Sequence, residues 1–518
     1  MRRIGIDVGG TNTDAVLLDG GRVVHAVKAP TTADVTGGIV AALAALSRHR
    51  EVARGKIDAL VIGTTHFINA VVQRKGLAPV AAIRIGLPAA ASLPPFCDWP
   101  ADLAALVRGE VAMLEGGHDV DGREIMPFDE AGMRAAARLV RERGLEAVAV
   151  SAIFSPLDPS HEERAGAILA EECPAAAVTL SHRLGRIGLL ERENATLLNA
   201  ALAPLARATI AGFRDAVAAS GIDAPLYLTQ NDGTVMSAEP AMALPVMSFA
   251  SGATNSMRGA AFLSGIGEAM VIDVGGTSTD IGQLRRGFPR EANSVVEIGE
   301  VRTLFRMPDL FSLGLGGGSI VRPGGPENRP LTVGPDSVGY RLIDEALVFG
   351  GQILTATDAA VAAGTAQIGD PARTVAVPRD LAAAVLARAK ETIEDAIDRM
   401  KTEAGEVRLI AVGGGAFLVP DRLAGVSEVI RVPHGDCANA VGAATAQISG
   451  ETDQVYRDLP RAEAIAAAEA QAVARATAAG ADPATIATIE IEDMPLAYLP
   501  GNALRVRVRV AGEMAGET

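Results

Sequence analysis

Ile6-Asp7-Val8-Gly9-Gly10-Thr11-Asn12-Thr13-Asp14 recurs almost unchanged past the middle of the chain as Ile272-Asp273-Val274-Gly275-Gly276-Thr277-Ser278-Thr279-Asp280. Each copy is a short apolar run closed by Asp, then a Gly-Gly pair, hydroxyl residues and a second Asp, which reads as strand, turn and returning strand. Two adjacent glycines clear the turn of side chains, so successive backbone N–H groups can face an anion, and the Thr and Ser hydroxyls add donors. A strand-end Asp beside such an anion is repelled by it unless a divalent cation lies between them. One hairpin of this kind is a weak signal. Two predict a duplicated fold that grips a polyphosphate from both sides.

Working outward, the first hairpin continues through Ala15–Leu18, turns at Asp19-Gly20-Gly21 and returns through Arg22–Val27. That is a three-stranded antiparallel meander, followed by a helix from Gly38 to Arg48 and a strand from Ala59 to Gly63. The second copy leads through Ile281–Leu284 to a basic turn and an apolar run from Ser294 to Ile298. Further on, a helix over Leu381–Lys401 feeds a strand over Val407–Val412 that ends in Gly413-Gly414-Gly415. Three glycines after a strand make a turn that a flat ring can approach closely, with a helix starting beside it; alone, the same residues read equally as a tight turn with no ligand. Between the halves the pattern gives helix 129–143, strand 147–152, helix 160–172 and a long helix from Arg192 to about Ala218. In the tail, Glu490 and Glu492 alternate with apolar residues, as do Arg505, Arg507 and Arg509, which predicts a surface ladder of ion pairs.

With 518 residues the chain is expected to form two or three domains. Its net charge of −15 argues against a nucleic-acid partner, which clustered Lys and Arg would hold. The three cysteines, Cys97, Cys173 and Cys437, form no Cys-x-x-Cys pair, so neither a zinc ribbon nor an iron–sulfur site is expected. Asp7 interrupts the apolar run after Met1-Arg2-Arg3, and the apolar window Ala195–Phe213 carries Pro204 and Arg207. Both favour a cytoplasmic protein with no membrane span.

The two Asp-Gly-Gly hairpins followed by a triple-glycine turn resemble the actin, sugar-kinase and Hsp70 ATPase fold. The resemblance implies an α/β protein of two ribonuclease-H-like halves, with ATP and Mg²⁺ in the cleft between them. Asp7 and Asp273 would be the catalytic, metal-holding carboxylates. The first phosphate loop would include Gly9, Gly10, Thr11, Asn12 and Thr13; the second would include Gly275, Gly276, Thr277, Ser278 and Thr279; Gly413, Gly414 and Gly415 would form an adenosine loop. The implied boundaries are 1–265 for the first half, with an inserted α/β region at about 76–264, 266–450 for the second half, and 451–518 for a small C-terminal α+β tail.

A narrower resemblance rests on Gly63-Thr64-Thr65 with Asn69-Ala70 and Arg74-Lys75-Gly76, Phe154-Ser155 with Pro159 and His161-Glu162, and Glu191-Arg192 with Leu198-Asn199-Ala200. It continues through Gln230-Asn231-Asp232-Gly233, Gly316-Gly317-Gly318-Ser319-Ile320, Val333-Gly334-Pro335-Asp336-Ser337, Thr357-Asp358-Ala359 and Leu496–Gly501. These are similar to the hydantoinase A/oxoprolinase family, whose members hydrolyse cyclic amides with ATP or carboxylate ketones in related complexes. The resemblance implies phosphorylation of a substrate carbonyl oxygen, a substrate side near Thr64, Thr65, Asn69, Gly317 and Gly318, and a separate B-type partner subunit in a larger oligomer. The alternatives are a small-molecule kinase, a reactivating ATPase or a nucleotide-gated partner subunit of the same fold. Departures lie at Phe311, where the family has His, at Ala360 in place of Asn, and in Ser251-Gly252-Ala253-Thr254-Asn255-Ser256 where the family reads Ser-Gly-Pro-Ala. Asp436 reads as a helix cap, His66 as a solvated loop residue, and Asp309, Asp336 and Asp358 as a second metal cluster only if the fold gathers them.

Overall fold

A computed structural model describes residues 1–9, 12–30, 35–52, 55–185, 187–292, 295–324, 330–497 and 501–515, so Gly10, Thr11, Ser294 and residues 498–500 lie outside the described residues. The chain is a mixed α/β protein with several sheets. β1 (Arg2–Val8), β2 (Asn12–Asp19) and β3 (Arg22–Pro30) form the expected antiparallel meander, and α1 (Val35–Ser47) returns the chain to β4 (Ala59–Thr64), parallel to β1. After α2 (His66–Val72) come β5 (Val80–Leu87), α3 (Ala101–Val107), β6 (Arg108–Glu115), α4 (Glu130–Glu142), β7 (Ala147–Ala152), α5 (Ser160–Glu172) and β8 (Ala177–Leu180). Their strands make a separate parallel sheet in the order β6-β5-β7-β8. α6 (Leu189–Ala219) leads back to β9 (Leu226–Thr229) and β10 (Thr234–Ser237), which extend the first sheet beside β4. α6 is long and apolar enough to cross a bilayer, yet most of it is buried inside the protein, where Arg192, Glu193, Asn194 and Asn199 bond to neighbouring elements.

α7 (Ala238–Ala243) and α8 (Ser251–Ser264) precede the second sheet, formed by β11 (Ala269–Val274), β12 (Thr279–Arg285) and β13 (Phe288–Pro289). β14 (Val296–Ile298) pairs with β15 (Val301–Thr303), β16 (Leu310–Leu313) adds to the edge of β12, and β17 (Ser319–Arg322) pairs with β18 (Thr332–Ser337). α9 (Leu342–Glu345), α10 (Ala356–Ala362) and α11 (Arg379–Met400) lead to β19 (Val407–Val412) and β20 (Val426–Arg431), both parallel to β11. In each sheet, then, a strand ending in Asp pairs antiparallel with its own hairpin partner on one side and parallel with a later strand on the other.

One expectation needs correction here. No α-helix starts directly at the three glycines: only a short 3-10 turn, Ala416–Leu418, forms before the chain runs into Pro420, whose ring disfavours helical geometry at the preceding residue. The tail holds a helix and an antiparallel strand pair, and its strands join the first sheet. α12 (Ala438–Thr445) leads into β21 (Gln447–Tyr456), α13 (Arg461–Ala478), β22 (Ala487–Pro495) and β23 (Leu504–Gly512), and the order β22-β23-β21-β10 makes these strands one wing of a nine-stranded first sheet.

Period-two alternation explains that wing. Val506, Val508 and Val510 pack on the alanine stripe Ala464, Ala468, Ala472 and Ala476 of α13, so the arginines between them must face the other way. Glu490 and Glu492 do sit opposite Arg509 and Arg507, but Arg507 and Arg509 are only 4% and 3% exposed, so this is a buried network and not a surface ladder. Glu291 accepts from both guanidiniums, 2.7 Å from Arg509, while Glu451 bonds Arg507 and Asp232 lies 3.6 Å from Arg509. Glu291→Leu should therefore cost about 3–5 kcal/mol, because two buried cations lose their main anion; an unchanged denaturation midpoint would contradict this.

α8 and α12 cross at a distance that only small residues permit. A Cβ on Gly259 would lie 1.8 Å from the Ala438 carbonyl oxygen, and one on Gly442 would lie 1.8 Å from that of Asn255. A Cβ on Gly5 of β1 would meet the Ala440 carbonyl oxygen at 2.1 Å. We expect Gly442→Ala to lower stability by about 1–3 kcal/mol through forced separation of the helices, measurable as a reduced Tm; an equal Tm would mean that the crossing can relax.

Candidate functional site

The close crossing of α8 and α12 determines what meets the two hairpins. Asn439, at the start of α12, donates to Asp7 Oδ2 at 2.8 Å, and Asn255 on α8 approaches Asp7 Oδ1 at 3.5 Å. The next residue on α8, Ser256, donates to Asp273. Helix-packed polar side chains thus hold both strand-end aspartates. The turns match in backbone geometry: Gly9 N donates to Asn12 O at 3.1 Å, and Gly275 N to Ser278 O at 2.9 Å. Register is equivalent as well, with Asp7 opposite Asp14 and Asp273 opposite Asp280.

Between them is a cavity of about 830 Å³. Its walls include Gly9, Asn12, Asp14 and Lys28 on one side and Asp273, Gly275, Gly276, Thr277, Ser278 and Asp280 on the other. Gly413 and Gly414 form a third wall. Gly413 has φ +90°, and a Cβ there would lie 2.2 Å from Asp273 Oδ1, whereas nothing lies within 4 Å of the corresponding position on Gly414. Gly414 is therefore the open surface of the triple-glycine turn, while Gly415 is turned inward and donates to Val274 O at 2.7 Å.

Electrostatically the cavity is short of cations. Burial, with the charge of Asp14 second, pushes the Asp7 carboxyl up to about 7. Burial likewise pushes Asp273 up to about 6, against the lowering effect of the Ser256 hydrogen bond. Asp14 and Asp280 are also raised by burial. Lys28 is the cation lining the cavity, 2.9 Å from Asp14 Oδ2 and 3.8 Å from Asp436 Oδ2. Asp14 Oδ1 is buried with no hydrogen-bond partner. A divalent cation suits this donor set: hard carboxylate oxygens, one of them unsatisfied, in a site that disfavours its own negative charge. Among the described residues no three of these carboxylates offer oxygens within 4.8 Å of one another, which fits a cation that keeps waters and takes further ligands from a phosphate.

Other residues singled out in the sequence fall into two groups. Thr65 and Asn69 line the cavity, joined by a 3.3 Å hydrogen bond. Thr64 is buried, its carbonyl accepting from Ser251 Oγ and its hydroxyl accepting from His66 N. Thr13 and Thr279 are also buried, and Thr279 Oγ1 donates to Leu315 O at 2.7 Å. Gly317 and Gly318 do not line the cavity; their N–H groups donate to Gly275 O at 3.0 Å and Gly276 O at 2.7 Å, so this run braces the second hairpin from behind. A Cβ on Gly316 would lie 2.7 Å from the Gly276 carbonyl carbon, which is why the brace needs glycine.

Asp436 is not a cap, since the turn 435–437 and α12 have no side-chain cap; it lines the cavity beside Lys28. Phe311 pairs with Ile281 and packs into the core beneath the second sheet, so the departure from His at that position removes nothing from the cavity. Its neighbours Leu310 and Ser312 face the cavity instead. Asp309, Asp336 and Asp358 are not gathered: Asp309 pairs with Arg290, Asp336 with Arg322, and Asp358 accepts from the backbone N–H groups of Val348 and Thr355.

Sequence reasoning missed Lys28, Asn255, Ser256 and Asn439 as site residues. Asn255 and Ser256 lie in a polar run, Thr254-Asn255-Ser256, on α8, Asn439 stands among small residues at the start of α12, and Lys28 is on β3; none of these positions carries a sequence motif. Elsewhere, His118, Glu124 and His161 have metal-ligand proximity. Gly117 N donates to His161 Nδ1 at 2.9 Å, which leaves the ring proton on Nε2, 3.1 Å from Glu124. His161 therefore has no lone pair free for a metal.

A model of the hydantoinase/oxoprolinase N-terminal region matches residues 3–173, and a hydantoinase/oxoprolinase model matches residues 192–370, together more than half of the chain. The chain belongs to the hydantoinase/oxoprolinase family. Within that family it is 28% identical over 480 residues to caprolactamase subunit alpha of Pseudomonas jessenii, covering 83% of this chain and 68% of that one. It is 29% identical over 394 residues to the acetophenone carboxylase gamma subunit of Aromatoleum aromaticum, covering 70% of this chain and 53% of that subunit. The fold is shared with the crystal structure of ATP-dependent caprolactamase from Pseudomonas jessenii, at TM-score 0.76 and 22% identity, covering 99% of this chain and 88% of that one. A nucleotide-free acetone carboxylase structure matches at TM-score 0.70 and 19% identity, with the same coverage.

The raised carboxyls of this family member set a pH dependence. Asp7 and Asp273 bind protons more tightly in the folded chain than at their ordinary value of 3.8, so folding takes up protons between that value and about 7 and stability falls as pH rises through this window. Without divalent cations, Tm should decline from pH 5 to pH 7.5, and Asp7→Asn should flatten the decline. A wild-type Tm that rises over this range would contradict the assignment.

Proposed function

We propose that this chain is the ATP-binding subunit of an enzyme that activates a cyclic amide for hydrolysis by phosphorylating its carbonyl oxygen. The observation that carries the reading is the pair of Asp-Val-Gly-Gly hairpins in equivalent register on either side of one cavity, with Gly414 open on a third wall. In this reading the two sheets are duplicated ribonuclease-H-like halves, residues 1–265 and 266–450, with the 76–264 region inserted and 451–518 as the C-terminal segment. The backbone N–H groups of Gly9, Gly275 and Gly276, with Asn12, Thr277 and Ser278, receive the phosphates, and the base lies against Gly413 and Gly414. Gly10 and Thr11 complete the first loop. The buried Thr13 and Thr279 and the inward Gly415 shape the loops instead of touching the ligand.

Asp7 and Asp273 would hold Mg²⁺, with Asp14 and Asp280 beside them on the cavity wall. Held by these carboxyls, Mg²⁺ would supply positive charge that favours their ionised form and offsets the charge of the phosphates. Lys28, between Asp14 and Asp436, supplies the other positive charge near the transferred group. Thr65 and Asn69 lie where the cavity opens toward α2 and are the polar groups suited to orient a carbonyl substrate.

An unstrained lactam carbonyl is a poor electrophile. When its oxygen takes the γ-phosphoryl group, the bond from phosphorus to the bridging oxygen breaks, ADP leaves, and the ring carbon becomes an imidate phosphate. Water adds at that carbon, the C–N bond breaks with protonation of the nitrogen, and the resulting ring-opened acyl phosphate yields carboxylate and phosphate with a second water. The similarity to acetophenone and acetone carboxylase subunits favours a second reading in which the phosphorylated oxygen belongs to a ketone enolate. Both share the phosphorylation step. The relatives are named as subunits, and the chain spans 68% or less of their length, which supports a partner that completes the reaction on the phosphorylated substrate.

A phosphate-release screen against lactams, hydantoins, 5-oxoproline and small ketones, with and without the protein encoded beside this one, should identify the ring and the partner together. Asp273→Asn should reduce stimulated release by about 10²-fold or more while ATP binding stays measurable. Equal turnover in that variant would rule out the paired-carboxylate clamp.

A further inference from the structure

A second cavity of about 740 Å³ lies where the loops of the β5–β8 sheet face the tail strands. Six arginines line it: Arg183, Arg306, Arg457, Arg475, Arg505 and Arg507. Three belong to the floor and are neutralised, Arg505 by Asp453, Arg306 by Asp232 and Glu451, and Arg507 by Glu291 and Glu451. The other three have no carboxylate within ion-pair distance among the described residues. Arg457 donates to the backbone carbonyls of Asp121 at 3.0 Å and Val120 at 3.4 Å, and Arg475 donates to the carbonyl of Glu451. Carbonyl partners fix where a guanidinium points without cancelling its charge. Arg183 has no side-chain partner among the described residues.

Of the remaining acids of the lining, Asp121 pairs with Arg123 and also feels the charge of Arg457, and Asp158 pairs with His118. A chain with net charge −15 thus gathers three arginines with no carboxylate at ion-pair distance among the described residues, from segments far apart in sequence, around a cavity of ligand size. Leu157, Leu184, Met247 and Phe305 supply apolar wall beside them. We propose that this cavity is a second ligand site, for a small organic anion with two or more carboxylates on a short carbon skeleton. Guanidinium forks match carboxylates in geometry, several acid groups use several forks, and the apolar wall receives the skeleton.

The site is separate from the hairpin cleft but shares a wall with it. Phe305 and Arg306 face the arginine cavity while Met307 and Pro308 face the cleft; Met247 faces the first and Phe249 the second. Fully buried Asn231 pins both wall segments, donating through Nδ2 to Val246 O at 2.9 Å and Arg306 O at 3.0 Å and accepting from Ala250 N at 2.8 Å. The assignment does not depend on what the cleft binds.

Isothermal titration of the full chain with tricarballylate, in low-salt buffer free of divalent cations, tests it. One saturable site per chain is expected, weakened at least about tenfold in Arg183→Ala and again in Arg457→Ala. Binding should be unchanged in Asp273→Asn, and butyrate should fail to compete. Matching Tm values for the arginine variants establish that they fold. Absence of saturable binding up to about 10 mM, equal affinity in the arginine variants, or full competition by butyrate would each overturn the proposal.

Discussion

Two hairpins carry Asp14, Asp273 and Asp280 to the wall of one cavity and bury Asp7 behind its lining residue Asn439, and burial makes all four carboxyls reluctant to ionise. The chain answers that cost incompletely. Two amides, two hydroxyls and one ammonium reach the four carboxyls, and Asp14 Oδ1 is left without a partner. Such an arrangement persists in a fold only when surrounding structure over-determines it, and an added cation relieves it. The remaining architecture can be understood as the means of holding these groups together.

Close packing of glycine-bearing helices is the first of those means. Gly259 and Gly442 let α8 and α12 touch backbone to backbone, which brings Asn255 and Asn439 onto the same carboxyl and Ser256 onto the other. The second is the brace behind Gly275 and Gly276, where Gly317 and Gly318 N–H groups take up carbonyls that would otherwise be free to turn. At the far end of the first sheet, Glu291, Arg507 and Arg509 fasten the tail strands to the segment beyond the second hairpin. The tail strands thus share a sheet with the first hairpin and an ion-pair network with the segment after the second.

Much of this was legible in the sequence, for definite reasons. The strand β7, the helix α5 and the strand β19 fall where periodicity and turn residues put them, and both hairpins pair in the register their apolar runs imply. Site residues on the hairpins were legible because the same Asp-Val-Gly-Gly-Thr stretch occurs twice. Those on helices were not: Asn255, Ser256 and Asn439 belong to no motif, and only the crossing of α8 with α12 gives Asn255 and Asn439 a common target. Arg507 and Arg509 misled in the opposite sense. Alternation sets which residues share a face but not whether that face is covered, and Glu291, more than two hundred residues earlier, covers it. The glycine run at 316–318 reads equally as a cradle and as a turn, and only the fold shows its N–H groups committed to the second hairpin.

If the raised carboxyls are what Mg²⁺ and nucleotide bind against, then binding must expel the protons they hold. Calorimetric titration of the metal-free chain with preformed Mg·ATP at pH 6.5, repeated in two buffers of different ionisation enthalpy, counts those protons directly. The account predicts release of about one proton per chain, mostly from Asp7 with a contribution from Asp273. Binding with no proton release, or with net uptake, would contradict it.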